Sequence, residues 1–162
     1  MKRCFCLFLI LCLLLSGCGI LGERIKEPVT FYYLRSEYHY GTQDAVISSE
    51  EREASGHLED LSYLLALYLM GPADEELKSP LPHGTNIFSA EQSASVITLR
   101  LSDTAKTMTD TEFSLACACL SLTCLDLTDA KSVTIISGDR IVTMSRDTLT
   151  LYDSSPAAEE TK

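Results

Sequence analysis

Three histidines, seven cysteines and 23 carboxylates are the side chains through which this 162-residue chain could do chemistry. His39, His57 and His83 stand in separate segments, none with a Cys, Glu or His at metal-ligand spacing, so no metal site is expected. Cys117-Ala118-Cys119 looks ligand-like, yet on a helix two such side chains point about 200° apart. Cys117 and Cys124 are seven residues apart, roughly 10 Å along a helix and beyond disulfide reach. They read as buried thiols, with a cross-link from Cys119 to a partner left open. Free thiols are less usual than disulfides in an exported domain and hint at a reducing habitat. Glu50, Glu51 and Glu53 beside Arg52, and Asp74, Glu75 and Glu76, read as solvated loop and helix-start charge; catalysis would need a pocket imposed by the fold. G-x-S-x-G, H-E-x-x-H, P-loop and Gly-rich dinucleotide motifs do not occur. The expectation is a non-enzyme with no catalytic residue and no cofactor.

Tyr32, Tyr33, Tyr38 and Tyr40 cluster with Phe31. A strand sends alternate residues to opposite faces, so half of them must point away from the core. Either they pack the strand and leave one or two rings exposed, or they form an aromatic contact surface for a protein or glycan partner.

The start of the chain carries a different chemistry. Lys2 and Arg3 precede an apolar run from Phe5 to Leu15, the pattern of an export signal. The run is too short for the roughly 20 apolar residues of a stable span. It ends Leu15-Ser16-Gly17-Cys18, which resembles the lipobox of bacterial lipoproteins. There a diacylglyceryl group is attached to the Cys thiol and the peptide is cut just before it. Ser16 and Gly17 are small enough to enter a protease cleft, and the A-x-A pattern of ordinary cleavage sites is absent. Two palmitate-like acyl chains, at about 0.8 kcal/mol per buried methylene, anchor stably. Cys4, Cys6 and Cys12 would leave with the leader as small hydrophobes. Cleavage removes Lys2 and Arg3 and no acid, moving the formal charge from −10 to −12. That excludes nucleic acid as a partner and leaves the lipid to do the anchoring at the extracytoplasmic face of the cell membrane.

The expected organisation is a signal peptide over 1–17, a tether over 18–27, a single domain over 28–152 and a disordered polar tail over 153–162. Within the domain, Val29 to Leu34 predicts a first strand. The acidic patch Glu50 to Glu53 leads to Ser55 as helix N-cap, and Leu58, Leu61, Leu65, Tyr68 and Leu69 recur on one helical face until Gly71-Pro72 stops it. Residues 73–85, with Pro80, Pro82 and Gly84, read as a surface loop. Asn86 to Ser89 and Ser95 to Leu101 predict a hairpin turning at Glu91-Gln92-Ser93. Thr109 and Glu112 have capping-box spacing and open a second, largely buried helix. Ser132 to Ile136, Ile141 to Met144 and Leu149 to Tyr152 read as closing strands. The expected class is α+β, with two helices on one face of a small mixed sheet.

In that order the motifs resemble the GerMN domain of bacterial sporulation and germination lipoproteins. The residues are Leu69-Met70-Gly71-Pro72, Pro82-His83-Gly84-Thr85, Leu101-Ser102, Thr123 and Lys131-Ser132-Val133-Thr134-Ile135. The chain departs where Cys124 takes a position usually held by Leu and Thr128-Asp129 replaces a Pro-Gly-like turn. The resemblance implies a non-catalytic, membrane-tethered module of an endospore-forming bacterium, similar to ring-building domains, with protein partners in an envelope assembly. A solute- or wall-fragment-binding lipoprotein, rimmed by the loop from Ala73 to Thr85 and the tyrosines, is the alternative, ahead of a small wall-processing enzyme.

Overall fold

The chain is seen in a computed structural model that describes residues 27–37 and 45–149. The leader, the lipobox Leu15, Ser16 and Gly17, Cys18, the tether before Glu27, Tyr38, His39, Tyr40, residues 150–152 and the tail lie outside the described residues.

Strand β1 (Pro28–Arg35) buries Val29, Phe31 and Tyr33 with every second residue, and Leu34 as well. It is the middle strand of an antiparallel three-stranded sheet, between β2 (Ile47–Glu53) and β3 (Leu77–Lys78). The acidic run therefore does not lead into a helix. It is paired with β1 from Leu34↔Ile47 to Pro28↔Glu53, because backbone pairing to an apolar strand outweighs the low strand propensity of Glu. The helix starts later than Ser55 predicts: α1 is Leu61–Leu69, capped by Asp60, whose carboxylate accepts from the Tyr63 N–H at 3.0 Å. Leu58 consequently lies ahead of the helix and is exposed. Gly71 closes α1 at φ 87°, donating to the Tyr68 carbonyl at 3.0 Å. Residues with a Cβ rarely adopt that conformation. The proline-bearing segment after it is mostly irregular, but its Leu77–Lys78 pairs with Leu34 and Arg35.

The second sheet has the order β4-β5-β6-β7. Strands β4 (Ile87–Ser93) and β5 (Val96–Leu101) form the expected hairpin, with the turn at Ala94-Ser95 rather than at Glu91–Ser93 and a bulge at Phe88. Strand β6 (Ser132–Ser137) runs parallel to β5, and β7 (Arg140–Ser145) antiparallel to β6. Leu149 is not in a strand. Helix α2 (Asp110–Leu127) is the crossover between the parallel pair, and its capping box is present: Thr109 Oγ1 accepts from Glu112 N while Glu112 accepts from Thr109 N.

Among the described residues the class is α+β with two α-helices, as the patterning predicts. The strands divide into two sheets instead of one because α2 packs against β1 as well as β6 and β7. Every residue of α2 from Ala116 to Leu125 is buried, which is why its sequence is apolar on all sides. One core cluster runs through both sheets and both helices.

Candidate functional site

Because β3 is only two residues long, most of one edge of β1 has no strand beside it among the described residues. An unpaired buried backbone group is costly, so its partners must come from elsewhere. Two helices supply them at Tyr32. Its N–H donates to Thr123 Oγ1 of α2 at 3.0 Å, and its carbonyl accepts from the Tyr68 hydroxyl of α1 at 3.1 Å. The Tyr33 hydroxyl in turn donates to the Tyr68 carbonyl at 3.0 Å, with the two rings stacked 4.8 Å apart and Phe31 edge-on to both. Tyr33 is fully buried and is a core residue, not part of a contact surface. Tyr32 is half-buried, and its hydroxyl donates to Asp126 Oδ2 at 2.6 Å. Burial first, and then that bond to a carboxylate, push the Tyr32 phenol up to about 12. Tyr38 and Tyr40 lie outside the described residues. Of the four clustered tyrosines, the two that the structure describes, Tyr32 and Tyr33, are thus taken up by the junction of β1 with the helices.

Charged side chains brace the same junction. Glu50, on β2, accepts from the Ala73 and Asp74 backbone N–H groups at 3.0 Å each and from Arg52 Nη1 at 3.1 Å. Arg52 also donates to the Gly71 carbonyl at 3.0 Å. This charge-assisted clasp ties the end of α1 to the strand. Arg146 bridges the Leu125 carbonyl and Asp126 Oδ1. Arg140 donates to the Met108 carbonyl and Asp110 Oδ1 and lies 3.9 Å over the Phe113 ring, fastening β7 to the start of α2. Sequence reasoning missed these arginines, since nothing local marks them; the pairing of Arg52 with a carboxylate two residues away was the one available signal.

No family model matches the sequence, and no curated protein matches it. Two solved structures are similar. The tandem GerMN domains of the sporulation protein GerM from Bacillus subtilis match with a TM-score of 0.53 and 18% identity, over 77% of this chain and 43% of that one. The chain has the GerMN fold. It spans less than half of the GerM structure it matches. A candidate lipoprotein from Clostridium perfringens matches with a TM-score of 0.47 and 18% identity, over 74% of this chain and 89% of that one.

On this GerMN fold the motif residues do backbone work. In Pro82-His83-Gly84-Thr85 the Thr85 N–H and hydroxyl both donate to the Pro82 carbonyl, and Gly84 sits at φ 82°. Ser102 accepts from Asn86 N through its hydroxyl at 3.0 Å, donates its own N–H to the Asn86 carbonyl, and takes the Ser137 hydroxyl on its carbonyl. It knots the start of β4 to the ends of β5 and β6. After the helix, Thr128 closes α2 by donating to the Cys124 carbonyl at 2.8 Å and accepting from Ala130 N.

Cys117, Cys119 and Cys124 are free thiols with no exposed surface. Burial pushes Cys117 and Cys124 up to about 12, and Cys119 upward as well. In this conformation Cys119 offers no thiol to a partner. His57 is exposed and stacks on Tyr63, and His83 is exposed on its turn. Among the described residues no group of three or more His, Cys, Asp or Glu could hold a metal ion. Lys78 to Pro82 of the loop from Ala73 to Thr85 line an open groove of about 350 Å³ together with Leu34, Thr107, Met108, Glu112 and Leu115. Neither Tyr32 nor Tyr33 borders it.

Proposed function

We propose that this chain is a lipoprotein held on the extracytoplasmic face of the cell membrane by acyl chains on Cys18. Its GerMN-like domain serves a non-catalytic assembly or scaffold role in sporulation or spore germination. The observation that carries the reading is the combination, in one chain, of the Leu15-Ser16-Gly17-Cys18 motif with a domain of the GerMN fold. The non-catalytic part is supported by how the polar side chains are used. Thr85, Ser102, Thr123 and Ser137 are buried and each bonds to backbone, so they hold the fold together. The protein partners are components of an envelope assembly.

Mass spectrometry of the mature N-terminus tests the anchor. A first residue at Cys18 carrying a diacylglyceryl mass, with the protein in the membrane pellet, is the expected result. Cys18→Ser should abolish both the modification and the cut before residue 18. A native polypeptide that begins at Met1, or a Cys18 without lipid, overturns the anchor. Unchanged sporulation and germination in a strain lacking the chain overturns the role.

A further inference from the structure

Helix α1 carries no charged residue and is apolar except at the exposed Ser62: Leu61–Leu69 reads LSYLLALYL. Leu64, Leu65 and Tyr68 face the core, which accounts for one side. At about 100° per residue, Tyr63, Ala66 and Met70 fall within about 60° of one another on the other side. All three are exposed, Tyr63 at 41% and Met70 at 78%. Leu58, in the turn before the helix, is 44% exposed, and the His57 ring lies 4.0 Å from that of Tyr63. A contiguous exposed apolar stripe marks an interaction surface.

Charge decides the occupant. Between Arg52 and Lys78 the chain has no Lys or Arg, and Arg52, which reaches the Gly71 carbonyl at the end of α1, is paired with Glu50, whereas Glu59, Asp60, Asp74, Glu75 and Glu76 stand exposed beyond the two ends of α1. A second copy docked on this stripe would set acid against acid, and an anionic bilayer would meet the same repulsion. An apolar patch rimmed by Lys and Arg meets none. We infer that the Tyr63, Ala66 and Met70 stripe of α1 is the docking surface for a different protein, one that presents an apolar patch flanked by basic side chains. This rests on the assembly reading above and names its contact face.

The test is site-specific photo-crosslinking of the full chain in the cells that make it, with p-benzoylphenylalanine placed at Tyr63 or Met70 and, as controls, at the exposed Glu91 and Thr143. Expected is one adduct, from Tyr63 and Met70 and not from the controls, to a protein whose cross-linked segment is apolar with Lys or Arg on both flanks. Met70→Glu should lower the Tyr63 adduct at least about tenfold, and raised salt should weaken it. An adduct with a second copy, an adduct with lipid, or a partner segment without basic flanks overturns the inference. Adducts from the control positions alone also overturn it, while leaving the assembly reading intact. No adduct from any position fails both.

Discussion

Thr123 offers the sharpest test of how this fold is held. It is fully buried in the middle of α2, and its hydroxyl oxygen is the acceptor for the Tyr32 N–H at 3.0 Å. Thr123→Val keeps the volume and removes the acceptor, leaving a backbone N–H on the uncovered edge of β1 without a partner. Such a loss costs about 1–3 kcal/mol. With an unfolding entropy of about 2.1 cal/mol/K per residue over a domain of this size, that is a fall of about 4–11 °C in Tm. Thr123→Ser keeps the acceptor and removes one methyl, for about 0.8 kcal/mol. Because the two ranges approach each other, the melting curves should be paired with amide hydrogen exchange at Tyr32. The amide should lose protection in the valine variant and keep it in the serine variant. A valine variant as stable as the parent, with the Tyr32 amide still protected, would refute the claim that a helix side chain closes this strand edge.

Glu50→Gln should weaken the clasp on the Ala73 and Asp74 amides, costing about 1–2 kcal/mol and raising hydrogen exchange at those two positions ahead of the core. Gly71→Ala places a Cβ at φ 87° and should cost about 1–2 kcal/mol, read as a lower urea midpoint at unchanged m-value. Stability should fall on the alkaline side. Tyr32 is held up to about 12 from 10.0, and Cys117 and Cys124 up to about 12 from 9.0. The unfolded chain therefore releases these protons first, and the stabilisation is complete below pH 9 and lost between pH 9 and 12. Denaturation midpoints measured across that window should decline progressively. Cys117, Cys119 and Cys124 should stay silent toward an aromatic disulfide reagent in the folded protein and react once urea unfolds it.

Local signals carried much of the fold in the linear chain. The strand from Val29 to Leu34, the Gly71 stop, the capping box at Thr109 and Glu112 and the alternation of Val96 to Leu101 are each written within a few adjacent residues. The physics behind them, side-chain period and backbone φ, is equally short-ranged. The arithmetic that keeps Cys117 from bonding with Cys119 or Cys124 was also legible, and these thiols are free. The acidic run Glu50 to Glu53 was not. Its strand exists because β1 lies alongside, and Glu50 is held by amides 23 and 24 residues further on. The tyrosines divided for the same reason. Adjacent in sequence, Tyr33 fills the core while Tyr32 reaches Asp126, 94 residues away. Only the tertiary structure could decide which ring packs and which bonds, or that α2 separates the strands into two sheets. Burial and charge pairing depend on what a distant segment brings within a few ångströms, and no residue carries that information alone.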